Sequence, residues 1–270
     1  MRRLLPLVVA AAALFALAGT ASAHDLFLRL RSYFVPPNAA VVVRVLNGTF
    51  VKSEGSVQRN RLREITLAAR GARRQLDSNA WSDTSKTVST LSIQTGEPGT
   101  YVVGASVKPR LIELNATQFN EYLEHDGVPD ILDARRRAGE LRKPARERYH
   151  KHVKAVLQVG ETRTDDFGAT FGYPAELVPL SNPYSVRVGQ AIAFQCLVDG
   201  APATRQYVIA GSDNGSGTMA ERGFRSDSAG VVRVPITRRG KWYVKFIRME
   251  QVKDSVDYES KWASLTFEVR

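Results

Sequence analysis

Short segments in which apolar and polar residues alternate limit the fold of this chain more than any other sequence feature. They are "DLFLRLRSYFV" (25–35), "AVVVRVLNG" (40–48), "RLREITLAA" (61–69), "STLSIQT" (89–95) and "GTYVVGASV" (99–107). A period of two places every second side chain on one face of a β-strand, and turn residues separate the segments. Residues 24–114 are therefore predicted to form an antiparallel β-sandwich.

Segments of the same kind return after residue 160. They are "PYSVRVGQAIAFQCLVDGAPAT" (183–204), "RQYVIAG" (205–211), "GVVRVPITRRGKWYVKFIRM" (230–249) and "ASLTFEV" (263–269). Gly189 and the pair Asp199-Gly200 mark turns between the strands. We therefore predict a mainly β fold with two immunoglobulin-like or transthyretin-like β-sandwich modules, over residues 24–114 and 160–270.

Between the two β-rich regions, the apolar pattern changes to a helical period. Asn115 can cap a first helix that ends near Gly127, and Pro129 opens a second helix with acidic residues early and arginines late. Pro144 is predicted to start a third helix, in which Tyr149, Val153, Val156 and Leu157 form one apolar stripe. Residues 115–159 are thus predicted to be a short α-helical insert.

Residues 1–23 have the pattern of a cleavable signal peptide. Arg2 and Arg3 precede the apolar stretch 4–18, and Ala21-Ser22-Ala23 forms an A-x-A cleavage pattern. An uncleaved membrane anchor is the alternative, because the stretch is nearly long enough to span a bilayer. We predict cleavage after Ala23, a periplasmic or secreted protein, and no membrane span after cleavage.

The single cysteine excludes several classes of protein. Cys196 lies in "AIAFQCLVD", where it belongs to the inward face of a predicted strand, so a buried and inert thiol is expected. One cysteine cannot form an internal disulfide, an iron–sulfur cluster or a cysteine-based zinc site. The chain also lacks nucleophile-elbow, P-loop and dinucleotide-binding motifs, so we expect it not to be an enzyme and to need no organic cofactor.

The chain is basic, with 38 Lys and Arg residues against 27 Asp and Glu residues. The run from Arg135 to Lys154 contains nine of these basic residues and two glutamates. Such a run can attract acidic partners, but its helices lack the interleaved aromatic residues of nucleic-acid binders, so no nucleic acid is expected. The solvated face of the helical insert is the simpler interpretation.

Cleavage after Ala23 would make His24 the first residue of the mature protein. The α-amine and the Nδ1 atom of such a histidine can close a chelate ring on one metal ion, and imidazole suits nickel, copper and zinc. Both groups must lose protons to bind, so affinity should fall in mild acid. The alternative is that His24 is simply a frayed first residue.

The other three histidines have ordinary interpretations. His125 is placed to interact with the C-terminal end of the first helix. His150 and His152 are two residues apart on the predicted third helix, where their side chains would point away from each other. We therefore expect that His150 and His152 do not bind one metal ion together.

With these motifs placed, the chain resembles a family of exported bacterial proteins, often named NikM-like, that are associated with nickel transport. The matching segments are "AHDLFL" (23–28), "GTYVV" (99–103), "IELNATQFNEYLEHDGV" (112–128), "YHKHVKAVLQVG" (149–160), "YPAELVPLSNPYSVRVGQ" (173–190), "GKWYVKFIRM" (240–249) and "YESKWASLTFEV" (258–269). The resemblance implies a β-sandwich protein with a helical insert, not an enzyme, that handles a transition metal at the cell envelope.

The same resemblance suggests which residues bind the metal. His24 is the first candidate ligand, with Asp25 beside it, and Glu259 or Glu250 could supply a further oxygen. Members of the family commonly have a histidine at the position of Arg248, and this chain departs from that pattern.

Two functions follow from these observations. The first is a metal-binding accessory protein that hands Ni²⁺ (or Cu²⁺ or Co²⁺) to a metal permease or an envelope receptor, or that buffers the ion. The second is a metal-free structural or adhesive β-sandwich module of the cell envelope, because a fold does not determine a function.

Overall fold

The computed structural model describes residues 24–213, residue 215 and residues 219–270. The predicted signal peptide, residues 1–23, lies outside the described residues. Within the described part, no helix has both the length and the apolar character needed to cross a membrane.

The described chain is mainly β, which confirms the predicted fold class. Its strands are β1 (Asp25–Leu30), β2 (Phe34–Val35), β3 (Ala40–Gly48), β4 (Ser53–Gly55), β5 (Leu62–Ala69), β6 (Ala72–Gln75), β7 (Trp81–Ser82), β8 (Ser89–Gln94), β9 (Gly99–Val107), β10 (Arg110–Leu114), β11 (Ala145–Val159), β12 (Ala175–Pro179), β13 (Ala191–Val198), β14 (Ala201–Pro202), β15 (Tyr207–Asp213), β16 (Met219–Arg225), β17 (Val231–Pro235), β18 (Gly240–Gln251) and β19 (Tyr258–Val269). Two α-helices, α1 (Ala116–His125) and α2 (Pro129–Arg137), lie between β10 and β11.

The strands form three sheets. The largest sheet has the order β16-β15-β18-β19-β11-β9-β5-β6, with β2 and β10 also paired to β11. A second sheet has the order β1-β3-β8-β7 with β4 on β3, and a third contains β12, β13, β14 and β17. The strands that precede and follow the helices therefore meet in one sheet, where β11 pairs antiparallel with β9 and parallel with β19.

Strand β11 is covered on both faces. On one face, Lys151 Nζ donates to the carbonyl oxygen of His24 at the start of β1. On the other face, Lys154 Nζ lies 3.4 Å from the carboxylate of Glu176 in β12. The second and third sheets thus pack on opposite faces of the largest sheet, as stacked layers of a β-sandwich.

The third predicted helix is wrong, because residues Ala145–Val159 form β11. Every residue from His150 to Val159 is buried, so the segment shows no alternation of apolar and polar side chains. A strand enclosed on both faces commonly has this pattern. The apolar residues of this strand happen to have helical spacing, but the segment is not helical in the folded protein. The helices of the insert end at Arg137.

The first two predicted helices are confirmed. Asn115 accepts a hydrogen bond from the backbone N–H of Gln118, and the Gln118 side chain accepts one from the N–H of Asn115, which completes a capping box. Gly127 follows α1 with φ +84°, and a Cβ there would lie 2.6 Å from Ile209 Cδ1. Both the turn and the close packing therefore require glycine at this position.

Helix α1 and strands β18 and β19 enclose a separate apolar cluster. Phe119, Tyr122 and Leu123 face Trp262, and the rings of Tyr122 and Trp262 are stacked with centroids 5.8 Å apart. The predicted interior position of Cys196 is also confirmed, since its side chain is buried in β13. Burial raises the pKa of that thiol to about 12, which leaves it protonated and unreactive at neutral pH.

Candidate functional site

His24 immediately precedes β1 and is held at two points. Its Nε2 atom lies 3.2 Å from the Oε2 atom of Glu54 in β4. Its carbonyl oxygen accepts a hydrogen bond from Lys151 Nζ. With 29% of its side chain exposed, His24 is fixed at the rim of the fold rather than free in solvent.

Asp25 turns to the other side of β1, as alternation along a strand requires. Its carboxylate lies 2.5 Å from Lys245 Nζ, and that nitrogen also lies 3.6 Å from Oδ1 of Asp126. Burial and the nearby Asp25 carboxylate raise the pKa of Asp126 to about 6. Although burial lowers the pKa of Lys245, the two carboxylates raise it above its ordinary value overall, so this lysine keeps its charge.

A cleft of about 360 Å³ opens beside His24. Its lining residues come from the start of β1 and the residue before it, the end of β3, the segment before β5, the adjoining ends of β9 and β10, and β11. They are His24, Leu26, Asn47, Ser56, Val57, Gln58, Arg61, Val107, Arg110, Tyr149 and Lys151. This size lies at the lower end of the range for small-molecule pockets.

Lys151 lines this cleft and is only 5% exposed. Its ammonium group is 4.3 Å from the ring centroid of Trp262 and 5.0 Å from that of Tyr149. Burial lowers the pKa of Lys151 to about 8, against the opposing charges of nearby carboxylates such as Asp25. The aromatic faces stabilise the charged form that burial disfavours.

Glu259 is not near His24. It accepts hydrogen bonds from Arg148 Nε and Nη2 at 3.0 and 2.8 Å, and its Oε1 lies 3.4 Å from His150 Nε2. Because side chains alternate along β11, Arg148 and His150 project from the face opposite to Lys151. The three candidate ligands His24, Asp25 and Glu259 therefore point in three different directions.

Glu250 and Arg248 pair with each other. Arg248 Nε lies 3.0 Å from the Oε1 atom of Glu250, and both side chains are largely exposed on β18. The position where related proteins were expected to have a histidine is thus occupied by an arginine that already has a carboxylate partner.

The prediction that His150 and His152 point apart is wrong, because both lie on a strand rather than on a helix. Residues two apart on a strand share a face, and the two ring centroids are 5.4 Å apart. His152 Nδ1 is 2.9 Å from Ser106 Oγ, and burial lowers the pKa of His152 to about 3, so it is neutral. Burial also lowers the pKa of His150.

Among residues 24–213, 215 and 219–270, no three His, Cys, Asp or Glu side chains are grouped closely enough to hold a metal ion. A metal bound at His24 would therefore have at most one further ligand from these side chains.

The sequence interpretation missed the residues that support His24. Glu54 is an isolated acid in a polar segment, and Lys151 belongs to the basic run that was interpreted as solvated. That interpretation is wrong for Arg135, Lys151 and Lys154, which are 2%, 5% and 2% exposed. The sequence indicated burial of Lys151 and Lys154 only through the apolar residues beside them. These neighbours indicate a buried segment but do not identify the groups that the two lysines contact.

Comparison with known proteins gives the family but not the function. No curated protein matches the chain significantly. Solved structures that align with it at low similarity include the following two. One is the D0-D1 domain of intimin, at 11% identity and TM-score 0.22, covering 90% of this chain and 97% of that one. The other is a tetra-tandem repeat in the extending region of a large adhesion protein, at 10% identity and TM-score 0.22, covering 90% and 48%. These TM-scores are too low to assign a fold or a function.

A family model also matches the chain. It covers residues 21–250, which include His24, the cleft and both helices. Its description names neither nickel nor a NikM-like role, so the resemblance to nickel-associated proteins stays a prediction. The chain belongs to the family described as "Domain of unknown function (DUF4198)".

Proposed function

We propose that this protein is a non-enzymatic, exported binding protein of the cell envelope that takes up a transition-metal ion at His24. Ni²⁺ is the first candidate, with Cu²⁺ and Co²⁺ as alternatives. The observation that carries the proposal is the fixed position of His24, whose ring contacts Glu54 and whose carbonyl oxygen contacts Lys151. A residue that only marked the end of a signal peptide would need neither contact.

The contact with Glu54 suits metal binding in a specific way. Histidine ligands commonly donate their second ring N–H to a carboxylate, which sets the tautomer and orients the ring. With Nε2 directed at Glu54, Nδ1 is the ring nitrogen left for a metal ion. Cleavage after Ala23 would free the α-amine of the same residue, and the two nitrogens could then chelate one ion.

Asp25 and Glu259 do not support the proposal. The Asp25 carboxylate is paired with Lys245, and Glu259 is paired with Arg148 on the opposite face of the sheet. A metal at His24 would therefore keep several positions open for water or for an exchangeable ligand. Weak, open coordination of this kind fits an accessory protein that passes an ion to a metal permease or an envelope receptor.

The proposal is tested by titrating metal into protein that begins at His24 and into protein with one extra residue before it. The extra residue blocks the α-amine while leaving the ring in place. We expect the authentic form to bind Ni²⁺ at least ~10-fold more tightly at pH 7.5 by isothermal titration calorimetry. We also expect His24→Ala to abolish binding and the exposed-histidine control His125→Ala to leave it unchanged.

The pH dependence provides a second measurement. Metal competes with protons for the amine and the imidazole, so affinity should be lower in mild acid than at pH 7.5. Equal affinity in the blocked and authentic forms would contradict the chelate. Absence of binding in both forms would favour the metal-free structural or adhesive module.

A further inference from the structure

The cleft beside His24 carries a concentration of positive charge that the proposed metal chelate does not use. Three basic side chains line it, Arg61, Arg110 and Lys151, and no carboxylate is among the described residues of its lining. A recess with charge of one sign and partly apolar walls concentrates ions of the opposite sign.

The two arginines are available to a ligand. Within the described residues, no Asp or Glu lies within ion-pair distance of either guanidinium group, whereas many other arginines of this chain have acidic partners. Arg61 Nη2 donates to the carbonyl oxygen of Lys108 at 3.1 Å, which holds its side chain against the turn between β9 and β10. Arg110 pairs in register with Tyr149, at the edge of the same cleft.

Lys151 adds a buried positive charge to the lining of the cleft. Its ammonium group already contacts the His24 carbonyl oxygen and the Trp262 ring, so it acts on a ligand mainly through its field. Arg61 is close enough to disfavour the charged form of Lys151 further. An anion in the cleft would relieve this repulsion between like charges.

The remaining walls indicate the kind of anion. Leu26, Val57 and Val107 provide apolar surface, while Asn47, Ser56 and Gln58 provide neutral hydrogen-bonding groups. Apolar surface between polar groups suits a carbon skeleton, and a planar guanidinium group matches a carboxylate through two parallel hydrogen bonds. A bare inorganic ion would leave the apolar part of the wall unused.

We propose that this cleft binds a small organic anion carrying two or more carboxylate groups, with Arg61 and Arg110 as its principal contacts. The site does not require metal at His24, so it stands or fails independently of the proposed function. If both proposals hold, the anion and the open coordination positions of a metal at His24 face the same cleft, and each should strengthen binding of the other.

The experiment uses exported, processed protein freed of metal with EDTA and dialysed into low-salt buffer at pH 7. The probe is the tricarboxylate tricarballylate, with inorganic phosphate and acetate as comparison anions, measured by isothermal titration calorimetry. We expect tricarballylate to bind most tightly, and the double variant R61Q/R110Q to bind it at least ~10-fold more weakly. The exposed pair R187Q/R239Q removes the same net charge away from the cleft and should change affinity less than ~2-fold.

Circular dichroism shows whether each variant is folded. Lack of tricarballylate binding by folded wild-type protein would overturn the proposal. Equal weakening by R187Q/R239Q would overturn it too, because it would reduce the effect to net charge. If phosphate bound as tightly as tricarballylate or more tightly, the proposed preference for an organic anion would be excluded. Because all titrations omit metal, failure of the metal proposal leaves these results unaffected.

Discussion

Single charged residues in the interior set much of the chemistry of this molecule. Lys154 is buried beside Glu176, and Arg135 donates through Nη2 to the carbonyl oxygens of Glu140 and Lys143 at 2.9 and 2.6 Å. Buried charges are tolerated only when such partners are present. The partners of Lys154 and Lys151 come from distant parts of the chain, so the basic run gave no indication that these residues are buried.

Glu147 is the buried acid whose protonation should affect stability most. Its Oε1 atom accepts hydrogen bonds from Tyr122 and Ser260, while Oε2 has no partner among the described residues. Burial raises its pKa from 4.5 to about 7, although the two hydroxyl donors and Lys151 oppose that shift. The folded protein therefore binds a proton here between these pH values that the unfolded chain does not.

We expect Glu147→Gln to remove a decline in stability that the wild-type protein shows between about pH 4.5 and pH 7. A raised acid pKa stabilises the fold fully below the unfolded pKa, and that stabilisation is lost as pH rises through the folded pKa. The effect amounts to about 3 kcal/mol at most across this window. Urea unfolding at pH 5 and pH 7 measures it.

The control for this prediction is the exposed acid Glu161. Glu161→Gln should keep the wild-type pH profile, because this side chain is exposed and is not buried by folding. The shifted pKa values of nearby Asp126 and Lys151 also make the stability of the wild-type protein depend on pH. The pH profile of each variant is therefore compared with the wild-type profile. Parallel profiles for Glu147→Gln and wild type would contradict the assignment.

At the scale of elements, the helices and β11 were predictable to different degrees. Helix α1 has local signals at both ends, in the Asn115 capping box and in Gly127, and these act without the rest of the fold. Strand β11 has no local signal of this kind, because neighbours on both faces and both edges determine its conformation. Tertiary contacts of this kind override the helical spacing of its apolar side chains.

The capping box of α1 gives a prediction at this scale. Asn115→Ala removes the acceptor for the Gln118 backbone N–H and should lower the free energy of unfolding by about 1 kcal/mol. The exposed residue Glu121 lies on the same helix outside the cap, and Glu121→Ala should change stability by less than about 0.5 kcal/mol. Urea unfolding monitored by circular dichroism compares them, and equal effects would count against a specific capping role.

For the whole molecule, the main consequence of the topology is that one sheet joins the two β-rich regions. Strand β11 pairs with β9 from the region before the helices and with β19 from the region after them. The largest apolar cluster likewise contains residues from Leu26 to Val269. The division into modules at residues 114 and 160 stays a prediction, but the hydrogen bonding and the core cross those boundaries.

We therefore expect the protein to unfold in a single cooperative transition. Separating the two β-rich regions would break the ladders on both sides of β11 and expose the shared core, so neither region should melt alone. Differential scanning calorimetry measures this, and the calorimetric and van't Hoff enthalpies should agree. Two resolved transitions would show that the regions are independent domains.

The candidate site shows the same dependence on long-range structure. His24 was identifiable from the sequence because its chemistry depends on its place next to the predicted cleavage position. Its contacts with Glu54 and Lys151 were not identifiable from the sequence, since these residues are 30 and 127 positions away. The separation of Glu259 from His24 also follows only from the position of β11 in the sheet.

Local sequence patterns predicted most strands of the two β-rich regions, the two short helices and the interior position of Cys196. Each of these depends on local periodicity or on residues a few positions apart, so the information is contained in the segment itself. Long-range contacts make Ala145–Val159 a strand, place His150 and His152 on one face, and bring three basic residues into the lining of a cleft beside His24. Those outcomes depend on which distant segments cover each face of the central sheet, and no local pattern encodes that choice.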